Sequence, residues 1–174
     1  MARFVELRRH TDNDGDVLSD EGVAAALRLG GELAGGYRVA VSTGAQRATQ
    51  TVGCLLAALA QPVPDGVVVE PGLRSEREDR WRAVAREADG GDLAAMRSVD
   101  PDFVAEEAAA LGAALGRVLE RLEDGQRALV VGHTPTSEAA VLGLTGELVA
   151  PLGKGAGVLV TEDGGRYRVQ VLDL

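Results

Sequence analysis

Short runs of strand-favouring apolar residues alternate along this chain with longer stretches whose apolar residues recur at helical spacing. That alternation limits the possible folds more than any other feature. Phe4, Val5 and Leu7 form a first strand pattern, and Val39–Ser42, Val67–Val69 and Leu129–Val131 repeat it, each bounded by glycine, proline or polar residues. Between the first two, Ser19 reads as an N-cap with Asp20 and Glu21 in the first turn. The helix carries Val23, Leu27 and Leu33 and stops at Gly35-Gly36. Thr43 can cap a second helix bearing Ala45, Ala48, Val52, Leu55, Leu56 and Leu59, closed by Pro62 and Pro64. After Asp102 a long amphipathic helix runs through Val104, Ala108, Leu111, Leu115, Val118 and Leu122, and another begins at about Pro135. Val158–Val160 and Tyr167–Leu172 end the pattern as a hairpin-like pair around Asp163-Gly164-Gly165. The expected architecture is α/β, a three-layer α/β/α sandwich with a mostly parallel central sheet. Residues 76–101 break the regularity, being charge-rich and interrupted by Gly90-Gly91 and Pro101. One or two short helices are expected there, as an irregular insertion near the pocket of a single domain spanning 1–174.

Composition excludes several classes of function. At 174 residues the chain can bury a proper core, and no stretch is long and apolar enough to cross a bilayer. Residues Met1–Glu6 run straight into the first strand pattern without a signal-peptide apolar region. The single cysteine, Cys54, lies in an apolar helical stretch and reads as core, which points to a reducing cytoplasm. A net charge of −9 argues against a nucleic-acid binder, which needs a basic face. It leaves room for a small phosphorylated ligand held by a local arginine cluster. Lys154 is the only lysine among 18 basic residues, in a chain rich in alanine and glycine. This looks like codon preference, so an arginine carries weight only inside a constellation.

Such a constellation exists. Both histidines lie just past predicted strands, His10 in Arg9-His10-Thr11 and His133 in Gly132-His133-Thr134-Pro135. A third strand, Val39–Ser42, leads into Thr43-Gly44-Ala45-Gln46-Arg47, which puts Arg47 in the first turn of a helix. Ligands of open α/β sheets bind beyond the carboxyl ends of the strands, so the three segments can meet at one crevice. The residue types suit phosphate. Helix N-termini near Thr43 and Thr134 present free N–H groups to an anion, with Pro135 expected at the first helical position. Guanidinium forks grip phosphate oxygens in pairs. Neighbouring positive charge lowers a histidine pKa and keeps the ring a nucleophile.

At this point the chain resembles a known family. Arg9-His10-Thr11 after a strand is similar to the Arg-His-Gly signature of the histidine phosphatase superfamily, the group containing phosphoglycerate mutases. Ser42 to Thr51 resembles its Ser-x-x-x-x-Arg-Ala-x-Gln-Thr segment, and Val130 to Pro135 its second-histidine motif. Leu18-Ser19-x-x-Gly22 matches the Leu-Thr-x-x-Gly that opens its first helix. The resemblance implies in-line attack by His10 on phosphorus and a phosphohistidine that water hydrolyses, with Arg9, Arg47 and His133 holding the transferring group and Thr134 beside it. It also implies a proton donor between Arg47 and His133, for which Glu76 is the first candidate and Glu78 the second. No metal or other cofactor is implied. The substrate would be a small phosphorylated molecule or a phosphoprotein, the latter because the short chain is similar in size to bacterial phosphohistidine phosphatases. Thr11, in place of the family's small residue, would crowd the approach of phosphate. The alternatives are a non-catalytic phospholigand-binding protein on the same fold and a phosphomutase.

Other features have plainer readings. By strand alternation Arg8 faces solvent, and the charged run from Arg74 to Arg86 forms a solvated helix face. Asp12, Asp14, Gly15, Asp16 and Glu21 fall at spacings like those of a calcium loop, but a histidine takes the first ligand position and a strand precedes it. This acidic stretch is expected to stay solvated at the pocket rim. Leu152–Gly157 is glycine-rich without the nucleotide-loop pattern and reads as a turn into the Val158 strand.

Overall fold

A computed structural model describes residues 1–174. In chain order the elements are β1 (Arg3–Arg9), a two-residue hairpin β2 (Asn13–Asp14) and β3 (Val17–Leu18), α1 (Asp20–Glu32), β4 (Tyr37–Ser42), α2 (Gln46–Leu59), and β5 (Val67–Val69). There follow α3 (Glu78–Glu87), α4 (Leu93–Val99), α5 (Pro101–Glu120), β6 (Arg127–Gly132), α6 (Thr136–Thr145), β7 (Gly157–Asp163) and β8 (Arg166–Leu172). The main sheet has six strands in the order β5-β4-β6-β1-β7-β8. The first four are parallel, and β7 and β8 add an antiparallel hairpin edge. The mostly parallel three-layer sandwich expected from the strand and helix periodicity is what the chain forms. No helix is long and apolar enough to cross a membrane.

Strand alternation sorts side chains onto the two faces of the sheet. Val5, Leu7, Val39, Val41, Ala128 and Val130 face α3 to α6 and belong to the larger core. Leu129, Val131, Tyr37 and Ala40 face the other way and pack in the layer built by α1 and α2. Helices α5 and α6 approach so closely that a Cβ on Gly143 would lie 1.7 Å from the Ala108 carbonyl oxygen.

The structure corrects several local expectations. Arg8 is buried, because both neighbours of β1 in the sheet are occupied and helices cover both faces; alternation assigns a face, and here neither face is open to water. Its guanidinium donates to Glu6 at 2.8 Å and to the Gly155 carbonyl, while the Tyr37 hydroxyl donates to the other Glu6 oxygen at 2.9 Å. Helix α1 stops at Glu32, so Leu33 lies beyond it. Pro135 is the N-cap of α6 and not its first helical residue. Residues 76–101 form two helices, and the charged run is a solvated face only on its outer side. Trp81 and Val84 of α3 and Leu93 and Met96 of α4 are buried in the main core. Asp100 ends α4 and caps α5, accepting from the Phe103 N–H.

Candidate active site

Register explains how the two histidines meet. Strands β1 and β6 are adjacent and parallel, with Arg9 opposite Gly132, and the His10 N–H continues the ladder by donating to the Gly132 carbonyl at 3.0 Å. The next residue of each strand is a histidine. Neighbouring strands lie about 4.8 Å apart, and the ring centroids of His10 and His133 are 5.4 Å apart, tilted by 57°. Strand β4 flanks β6 on its other side, with Ser42 opposite Val131, and delivers α2 and Arg47 to the same edge. The positive charges of Arg47 and Arg9 both bear on His10.

His10 is almost fully buried. Its Nδ1 lies 2.8 Å from the Thr11 carbonyl oxygen, which can only accept, so Nδ1 carries the proton and Nε2 keeps its lone pair. Burial lowers the His10 pKa most, the bond to Thr11 opposes it, and Arg47, Arg9 and Lys154 lower it further. Thr11 does not crowd the site with its side chain: the hydroxyl turns toward α1 and donates to the Gly22 carbonyl at 2.8 Å.

His133 Nε2 is 2.7 Å from the Thr43 hydroxyl. Thr43 therefore serves the site and does not cap α2, whose N-cap is Ala45 with no side-chain cap of its own. The free N–H groups of Gln46 and Arg47 are instead met by the Asp16 carboxylate, which also accepts from the Arg47 guanidinium at 2.8 Å. Asp16 is thus an intramolecular anion at a helix N-terminus beside an arginine, where the preference is for negative charge. Asp12 is engaged too, with Lys154 at 2.6 Å and Ser19 at 2.6 Å. The acidic stretch is therefore tied to basic groups at the rim and is not simply solvated. No group of three or more His, Cys, Asp or Glu side chains is disposed to hold a metal ion.

Arg9 shares its sheet face with Val5 and Leu7, so its guanidinium reaches the α6 side and donates to the Leu152 carbonyl at 2.9 Å. Its Nε, and Nδ1 of His133, are buried without a hydrogen-bond partner. Unpartnered buried polar atoms are uncommon, and here both belong to the same constellation. Glu138, which the sequence reading did not single out, is buried beside them. Burial raises its pKa, against the opposing effects of the Leu152 N–H, the Thr134 hydroxyl and the Arg9 charge. The signal for it was a lone carboxylate immediately before the apolar run Ala139-Ala140-Val141-Leu142 of α6. Thr134 is therefore occupied with Glu138. Glu78 lines the cavity in front of His133, whereas exposed Glu76 does not. Cys54, expected in the core, is only partly buried on α2 and belongs to neither core cluster; burial pushes its thiol pKa up.

Burial, then Arg47 and His10, push the His133 pKa down to about 3. The unfolded chain would take up a proton near pH 6.5, while the folded protein resists it. Stability from this group is therefore intact above about pH 6.5 and falls as the pH drops toward 3. Between pH 7 and pH 4.5 the loss due to His133 is on the order of 2 kcal/mol. Urea midpoints at the two pH values should accordingly differ less in His133→Gln than in wild type; Glu138 is common to both proteins and cancels. Equal pH dependence in the two would overturn the assignment of a neutral, buried His133.

By sequence no family model matches the chain, and no curated protein matches it. Solved structures do. A phosphoglycerate mutase from Bacillus anthracis superposes with a TM-score of 0.74 over 98% of this chain and 92% of its own, at 19% identity. The chain has the phosphoglycerate mutase-like fold. Phosphoserine phosphatase from Entamoeba histolytica, in complex with 3-phosphoglyceric acid, gives 0.76 over 99% and 98% at 15% identity. The protein histidine phosphatase SixA, solved with tungstate, gives 0.61 over 99% and 97% at 21% identity. In this chain the β4, β6 and β1 carboxyl ends share one edge of the sheet, which carries Arg47, His133 and His10.

Proposed function

We propose that this protein is a phosphatase that cleaves a phosphomonoester or a phosphohistidine through a covalent phosphohistidine on His10. The observation that carries the reading is the held tautomer of His10. With its Nδ1 proton committed to the Thr11 carbonyl, Nε2 is a neutral lone pair beside two guanidinium groups and a second, neutral imidazole.

Nε2 attacks phosphorus in line, the N–P bond to His10 forms and the bond to the leaving atom breaks, P–O in a phosphomonoester and P–N in a phosphohistidine. Arg47, Arg9 and His133 offset the charge on the equatorial oxygens, the positioning and electrostatic work that phosphoryl transfer demands. The arginines supply this positive charge, so the scheme needs no metal. Glu78, on the cavity wall, is ion-paired with Arg74 and Arg82, so the departing atom takes its proton from water on that side of the cavity. Water then attacks the phosphohistidine, releasing inorganic phosphate and restoring His10.

The test is phosphate release over a panel of esters and phosphoamidates, with alkaline quench of the reaction. Several substrates are expected to release phosphate, and acid-labile label is expected on the protein. Tight binding of phosphorylated ligands with no release from any of them would overturn the reading in favour of a binding protein.

A further inference from the structure

A cavity of about 390 Å³ opens directly in front of His133 and Arg47, a volume in the range of small-molecule sites. One wall is the phosphate-holding edge of the sheet, with Arg47, His133 and Thr134. A second wall, from α3, α4 and the segments before them, sets apolar side chains among Arg74, Glu78, Arg82 and Asp92. Trp81 and Ala85 of α3 and Leu93 and Met96 of α4 line it. The indole stacks edge-on against Phe103 with centroids 4.8 Å apart, and its N–H is already given to Glu107 at 2.9 Å, so no donor remains for a ligand.

The polar groups around this wall are likewise engaged with one another. Ser75 donates to Glu107. Glu78 is bridged by Arg74 at 2.9 Å and Arg82 at 3.5 Å. Asp92 accepts from the Ala95 N–H that it caps, and Glu138 from Thr134 and Leu152. A leaving group rich in hydroxyls would exchange its water here for groups largely paired with one another and for the apolar side chains of Trp81, Leu93 and Met96, which is costly. A second phosphate would meet arginines already neutralised by Glu78 and Asp79.

We propose that this cavity is the leaving-group subsite for small phosphomonoesters whose alcohol is uncharged and apolar, an alkyl or single-ring aryl group. This rests on the phosphatase reading above, with the phosphoryl group on the Arg47 and His133 side and the alcohol against Trp81, Leu93 and Met96. It narrows the substrate to a small molecule and away from a phosphoprotein, because the discriminating surface is an internal wall of α3 and α4.

The alkyl phosphates from ethyl to hexyl, and glycerol 3-phosphate, share a similar leaving-group basicity and so isolate the subsite from the chemistry. From ethyl to butyl phosphate, kcat/KM is expected to rise about tenfold, with glycerol 3-phosphate below ethyl phosphate. Ala85→Gln, which puts an amide into the wall, should flatten this series and leave inhibition by vanadate unchanged. Trp81, the only tryptophan of the chain, supplies a readout that needs no turnover: butylphosphonate should shift its fluorescence, and inorganic phosphate should shift it less. A flat series with measurable release from every ester would overturn the subsite and leave the phosphatase standing. A Trp81 response to butylphosphonate with no release from any ester would keep the subsite and remove the phosphatase. Faster release from a phosphohistidine-bearing protein than from any alkyl ester would reverse the choice of substrate.

Discussion

His10→Ala is expected to reduce phosphate release by at least about 10³-fold while leaving binding of vanadate or inorganic phosphate within about tenfold of wild type. The two effects separate because the anion-holding groups are other side chains with anchors of their own. Arg47 is on α2, His133 follows β6, and Arg9 is anchored through Leu152. Truncating His10 removes the lone pair that forms the N–P bond but none of these groups. The backbone should be undisturbed, since the His10 N–H stays paired with the Gly132 carbonyl and the lost side-chain bond is a local one to Thr11. Circular dichroism and a urea midpoint would confirm that the variant is folded. Phosphate-release kinetics and isothermal titration with vanadate then give the two numbers. Wild-type-like turnover by a folded His10→Ala protein would remove His10 from the chemistry.

Gly22→Ala is expected to be the most damaging of the small substitutions near the site. Gly22 lies in the first turn of α1, and a Cβ there would sit 1.9 Å from the Asp12 carbonyl oxygen and 2.8 Å from its carbon. Both are backbone atoms, so no side-chain rotation relieves the clash. Either α1 retreats or the segment after β1 moves. That segment is held to α1 by Thr11 donating to the Gly22 carbonyl and by the Ser19 hydroxyl donating to Asp12. Thr11 in turn supplies the carbonyl that fixes the His10 tautomer. The substitution should cost about 1–3 kcal/mol of stability through overpacking. It should also lower kcat by at least about tenfold, since a misplacement near 1 Å in a reacting group is costly. Denaturant midpoints and steady-state rates test the two halves. A variant unchanged in both would show that α1 does not position the catalytic loop.

The most useful contrast between sequence and tertiary structure lies in particular residues. The strand patterns at Phe4–Leu7, Val39–Ser42 and Leu129–Val131 were legible because buried parallel strands are short continuous apolar runs, and the exposed edge strand Val67–Val69 was legible from its β-branched run alone. The helices between them were legible because a half-buried helix repeats its apolar residues every three or four positions. From these follow the layer architecture and the placement of His10, Arg47 and His133 at strand ends, since strand carboxyl ends are points on the chain itself.

Contacts between elements were not available in that way. Arg8 was assigned to solvent because alternation names a face without saying what covers it, and its partners Glu6, Tyr37 and Gly155 are brought together only by β1 lying inside the sheet. Thr43 had the local marks of a helix cap, but its hydroxyl meets His133, 90 residues away in the chain, while Asp16 from a distant loop meets the helix. Glu76 and Glu78 are almost neighbours, and only the start of α3 at Glu78 decides which one reaches the cavity. Glu138 gains its meaning solely from burial against Arg9 and Leu152. Local sequence thus determined which segments are strands and helices and which chemistry stands at their ends, because those depend on short-range sterics and periodic hydrophobicity. The order β4-β6-β1 in the sheet decided which of those ends converge and what encloses them, because hydrogen-bond partners and burial are properties of elements packed together.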